Sequence, residues 1–81
     1  MSNLESLNLS NLENLVTLPA EIGQLKNLKV IYMRTLRSLT TLPKEIAQLK
    51  NLKKLDCRYT SISSEESNKI SQMLPNCQTI W

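Results

Sequence analysis

Tyr32, Arg34, Asp56 and Arg58 are the residues of this chain best equipped to recognise something. A tyrosine offers a rigid ring with a polar tip, and an arginine can fork onto a carboxylate. Tyr and Arg are also the types most enriched in binding hot spots. Catalytic groups are scarcer. The 81 residues hold no His, so the commonest general base and commonest metal ligand are missing. Cys57 and Cys77 lack CxxC spacing, and one such pair without His makes no standard zinc site. No Gly-rich phosphate loop exists, because the chain has a single glycine, Gly23. Cys57 is the one nucleophile candidate, but it falls in an apolar, inward column. No enzyme activity, metal or cofactor is therefore expected.

The composition bounds the rest. The length allows one domain with a limited core. Hydrophobic content of 41% and charged content of 21% describe a globular chain. The formal charge of +3 is mildly basic, so its distribution matters more than its sum. The first residues show no basic and apolar leader, and no stretch approaches the length of a membrane span. A cytoplasmic location is the expectation, with secretion left open if a segment precedes Met1. Fifteen leucines supply almost half of the hydrophobic residues, which calls for a repeat search.

The repeat is plain. Leu18–Lys29 and Leu42–Lys53 are identical at ten of twelve positions, at an offset of 24. The offset also aligns Leu4, Leu28 and Leu52; Leu7, Ile31 and Leu55; and Leu9, Met33 and Cys57. Leu12 pairs with Leu36, Leu15 with Leu39 and Leu18 with Leu42. Each unit opens with LxxLxL, whose period of two predicts a strand. It continues with LPxEIxxLKN, whose Ile22, Leu25 and Leu28 have helical spacing. Pro19 and Pro43 are expected at the first helical position. Glu21 and Glu45 then fall in the first turn, and Lys26 and Lys50 near the end, with the signs the helix dipole favours.

These units resemble leucine-rich repeats, and the LPxEIxxLKNLxxL signature covers almost the whole chain. The likeness is to the short-repeat type of bacterial and plant interaction proteins. It implies an α/β fold: a right-handed solenoid with a parallel sheet on the concave side and short helical or 3₁₀ segments on the convex side. Repeats are expected at about 4–27 and 28–51, a partial repeat at 52–62 and a C-terminal cap at 63–81. Ser63 and Glu66 read as a capping box opening a helix with Ile70, Met73 and Leu74 inward and Pro75-Asn76 at its end. Met73-Leu74-Pro75-Asn76-Cys77 resembles the cap of bacterial members, and Cys77–Trp81 is expected to form a last strand. The family places an asparagine three residues after the strand. Here Leu12, Leu36 and Thr60 occupy that column, so the asparagine ladder is missing or displaced. Leu12 and Leu36 are expected to point into the core, above looser turns.

Alternation assigns the concave face to Val30, Tyr32, Arg34, Lys54, Asp56 and Arg58, flanked by Ser6, Asn8 and Ser10 and by Asn76, Gln78 and Ile80. The resemblance implies a non-enzymatic scaffold that binds a protein there. Simple cross-strand pairing of Arg34, Asp56 and Arg58 is the plainer account of the same residues. Lys26, Lys29, Lys50 and Lys53 recur on the return side as a solvated face. Two further alternatives stand: the C-terminal piece of a longer scaffold, or a weak binder of an anionic partner such as nucleic acid. Nothing resembling an N-terminal cap precedes Leu4, Leu7 and Leu9. An open edge of this kind is a pairing template, and a homodimer through it is expected. Aligned in register, Cys57 is expected beside Thr79 and Cys77 beside Leu55, too far for a disulfide, leaving two free thiols. Trp81 is expected to cover the last core layer.

Overall fold

The computed structural model describes residues 4–81. Four three-residue strands lie side by side in chain order: β1 (Ser6–Asn8), β2 (Val30–Tyr32), β3 (Lys54–Asp56) and β4 (Gln78–Ile80). All pairs are parallel, and each residue of β1 to β3 faces the residue 24 further on. The sequence repeat is thus the register of the sheet. One ladder bond recurs along it: Leu9 N–H to Tyr32 O at 2.8 Å, Met33 N–H to Asp56 O at 2.7 Å, and Cys57 N–H to Ile80 O at 2.7 Å.

Parallel strands need a crossover, and the first two crossovers carry 3₁₀ segments, Ala20–Gln24 and Lys44–Gln48. Pro19 and Pro43 stand just before these segments with extended backbone, φ near −70° and ψ of 153°. They are therefore caps rather than first helical residues. Each proline carbonyl accepts the N–H of Ile22 or Ile46 at 3.1 Å, and the tighter winding suits a five-residue piece. Glu21 and Glu45 lie in the first turns. Lys26 and Lys50 do not lie in the last turns, because each segment already ends at Gln24 or Gln48.

Gly23 marks the closest approach of the two convex segments. A Cβ there would sit 2.6 Å from Gln48 Oε1 and 2.8 Å from the Glu45 carbonyl oxygen. The second coil has Ala47 in the same column, facing the helix end rather than another 3₁₀ segment.

The core is a stack of columns. Leu28, Ile31, Met33, Leu36, Leu39, Ile46 and Leu55 are fully enclosed. After β3 the pattern changes to helix α1 (Ser64–Met73), started by Ser63, whose Oγ accepts the Glu66 N–H at 3.2 Å. The Glu66 carboxylate accepts from Thr41 Oγ1 at 2.7 Å, so it ties the helix to the preceding coil. Ile70 and Leu74 close the core from below.

Trp81 rests against this helix rather than over the core, its Nε1–H donating to Ser71 Oγ at 3.3 Å while the ring stays exposed. The cysteine alignment shifts by two residues. Leu55 faces Thr79, so Cys57 falls in the row of Trp81 and Cys77 in the row of Lys53. Both thiols are free.

Leu12 departs from expectation. Leu36 is wholly buried, but Leu12 is exposed because no coil lies beyond it.

Candidate functional site: the concave face

Three rows cross the sheet: Ser6, Val30, Lys54 and Gln78; then Asn8, Tyr32, Asp56 and Ile80; then, just past the strand ends, Ser10, Arg34 and Arg58. All six residues predicted for the concave face stand in these rows.

Asp56 is the hub, and only 1% of it is exposed. Arg58 grips it with two parallel bonds, Nε to Oδ1 and Nη2 to Oδ2, each 3.1 Å. The Arg58 backbone N–H adds a third, to Oδ1 at 3.3 Å. Arg34 approaches from the other side, with Nε 3.6 Å from Oδ2. These hydrogen bonds, with the two positive charges, hold the Asp56 carboxyl below the usual carboxylate range against the opposing effect of burial. The same bonds raise Arg58 further. A carboxylate held this way does not exchange protons near neutral pH.

Cys57 is equally inert. Burial, helped by the neighbouring Asp56 charge, pushes its thiol up to about 12. Among the described residues no group of three or more His, Cys, Asp or Glu could hold a metal.

The two arginines therefore differ. The Arg58 fork is spent inside the molecule. Arg34 is 48% exposed at its side chain and touches Asp56 only through Nε, so its terminal nitrogens face outward. Lys54 Nζ sits 5.6 Å from the Tyr32 ring centre, within cation–π range. The face thus presents three cations, Arg34, Lys54 and Arg58, against one carboxylate.

The strand exits explain how the rows are held. The amide at each exit needs an acceptor. Ser10 N–H finds Asn8 Oδ1 at 3.0 Å, and Arg58 N–H finds Asp56 Oδ1, both two residues back. Tyr32 offers no such acceptor in the same column. Arg34 N–H turns instead to Ser10 Oγ of the neighbouring coil, at 3.2 Å. Further along, Thr60 Oγ1 donates to the Cys57 carbonyl at 3.0 Å, and Ser61 Oγ donates to the Arg37 carbonyl. The polar tie that an asparagine column would supply is redistributed over these side chains.

The next residue of each coil is left-handed: Asn11, Thr35 and Tyr59 have φ of 70°, 64° and 64°. Asn tolerates this region, whereas Thr and Tyr do so at roughly 1–2 kcal/mol. Neighbouring coils enforce the turn, with Asn11 N–H bonded to Arg34 O at 3.0 Å and Thr35 N–H to Arg58 O at 2.9 Å. The conformation throws Tyr59 outward, 73% exposed. A shallow depression lies beside it, lined by Asn8, Ser10, Asn11, Arg34, Thr35 and Tyr59. The sequence reading missed Tyr59. Its signal was an aromatic in a turn column otherwise holding Asn and Thr.

The comparisons fit this geometry. A solved leucine-rich repeat protein of Leptospira interrogans is similar at 46% identity over 83% of this chain, with a TM-score of 0.79. This chain is a leucine-rich repeat protein. The likeness is to a bacterial member, of which the chain spans 17% of the length. No family model matches the chain, and no curated protein does. Leucine-rich repeat proteins are repeat scaffolds that typically mediate protein interaction, which agrees with a concave face of paired and exposed polar groups rather than reactive ones. No helix among the described residues is long and apolar enough to cross a membrane.

Proposed function

We propose that this leucine-rich repeat chain is a non-enzymatic interaction scaffold that binds an acidic segment of a partner protein on its concave face. The observation that carries this is the inequality of the two arginines. Arg58 and Asp56 neutralise each other, while Arg34 keeps a half-exposed guanidinium beside the depression that ends at Tyr59. A partner carboxylate on Arg34 completes its fork, and the exposed Tyr59 ring supplies the apolar anchor. Lys54 and Tyr32, stacked together, extend the cationic surface along the sheet. Residues 63–81 serve as the C-terminal cap, closing the leucine columns so that this end stays soluble.

A nucleic acid fits the face less well. Single-strand recognition uses a row of open aromatic platforms, and the Tyr32 ring is already engaged by Lys54. The return-side lysines are no track either, since Lys29 is paired with Glu5 at 3.7 Å.

The test is binding of acid-rich and base-rich peptide pools to the immobilised chain. Acid-rich peptides are expected to bind and to be lost, tenfold or more, in Arg34→Ala and Tyr59→Ala. Equal retention by native chain and both variants removes the concave-face reading. Arg58→Ala is a poor probe, because it leaves the buried Asp56 without its main partner.

A further inference from the structure

We propose that the open face of the first coil is a self-association surface, on which two copies of this chain meet about a two-fold axis with their β1 strands antiparallel. The argument begins with matched columns. Leu12 and Leu36 are the same residue at the same place in successive coils, yet Leu12 is 49% exposed and Leu36 is 0%. Leu4 is likewise exposed where Leu28 is enclosed, and Leu7, Leu9 and Leu15 are half-buried where Ile31, Met33 and Leu39 are enclosed. Val16 adds a further exposed apolar side chain. The first coil therefore shows solvent the kind of surface that the second coil buries against the first. A leucine-rich coil is the shape that covers it, because the coil-to-coil interface inside the molecule is built from the same columns.

The occupant is argued from charge and symmetry. Edge strands are usually protected by lysine, proline or a bulge. Ser6–Asn8 has no charge, no proline and a regular parallel register on its paired side. The adjacent carboxylate, Glu5, is offset by Lys29. Two such edges meet without like-charge repulsion, and an apolar patch is complementary to itself. The other end of the molecule is not a match for it. Helix α1 turns Ile70 and Leu74 inward and leaves Glu65, Asn68, Lys69 and Gln72 exposed. A head-to-tail stack would place that charged surface on bare leucines. The contact that joins like to like is isologous, and it closes at two chains.

The test uses the 81-residue chain in light scattering and sedimentation from micromolar to millimolar concentration. The mass is expected to rise from one chain to two and stop there. The double variant Leu12→Lys, Val16→Lys is expected to remain monomeric with unchanged circular dichroism, since both side chains are already largely exposed in a single copy. Arg34→Ala is expected to dimerise like the native chain, which separates this proposal from the concave-face reading. Hydrogen exchange of the unmodified chain gives a second measurement should the lysine variant not fold. Protection in residues 4–18 is expected to rise with concentration, while that of β3 and β4 stays constant. A monomer at every concentration, a ladder of larger species, or exchange independent of concentration overturns the proposal.

Discussion

The first and second coils are near copies in sequence and unequal in structure. Leu36 and Leu12 share a column, a residue type and a preceding left-handed turn. One is sealed on every side and the other is half open. The difference lies in what stands next to each coil. Burial in a stacked architecture is a property of the interface between neighbours, so the same leucine has two energies at two places in the stack.

Substitution at this matched pair should produce the largest contrast. Leu36→Ala is expected to lose about 2–5 kcal/mol, because it empties an enclosed site. Leu12→Ala in dilute solution is expected to change stability by no more than about 0.5 kcal/mol. Denaturant titration of both variants reads the difference, and equal losses would show that the first coil is covered.

A second contrast lies on the convex side. Gly23→Ala drives a methyl group into a backbone carbonyl and a glutamine side chain. It is expected to cost about 1–3 kcal/mol, as overpacking does. The mirror change, Ala47→Gly, is expected to cost only about 0.5–1 kcal/mol, from chain entropy. Thermal melting of the pair tests whether coil spacing is tightest between the two 3₁₀ segments.

The smallest effect belongs to the sheet's charge. Asp56 has its pKa lowered in the folded chain, chiefly by the Arg58 bonds. Its contribution to stability is therefore present above the ordinary aspartate value of roughly 3.9, and it is lost as pH falls through the lower folded value. Asp56→Asn is expected to flatten that acid limb in melts taken from neutral to acidic pH. An unchanged limb would assign the acid sensitivity to other carboxylates.

Much of the architecture was legible because a 24-residue offset fixes strand order, direction and register together. Leu28, Ile31, Leu36 and Leu39 announce their burial by recurring. The concave rows followed from alternation alone. Three things were not legible. Leu12 reads like Leu36, since a single column carries no information about whether a neighbour exists. Pro19 and Pro43 are good residues for the first position and good residues just before it, and the 3₁₀ winding that decides between them depends on packing. The division of labour between Arg34 and Arg58 depends on which guanidinium reaches Asp56 in the right plane, a matter of ångströms. Tyr59 was hidden for a related reason, because a turn's backbone angle, rather than alternation, aims its ring.

The strand-exit amides bear on how such an array can grow. Each of the three is satisfied by a different donor–acceptor arrangement: Asn8 within the first coil, Ser10 reaching into the second, Asp56 within the third. A tandem duplication of residues 28–51 would bring Arg34, not Ser10, alongside the next exit amide. That amide would be stranded, because Tyr32 cannot replace the missing hydroxyl. The coils look like interchangeable modules but are ordered parts. A lengthened version of this protein must copy Ser10 together with Tyr32, so the smallest unit that can be duplicated without penalty is a pair of coils.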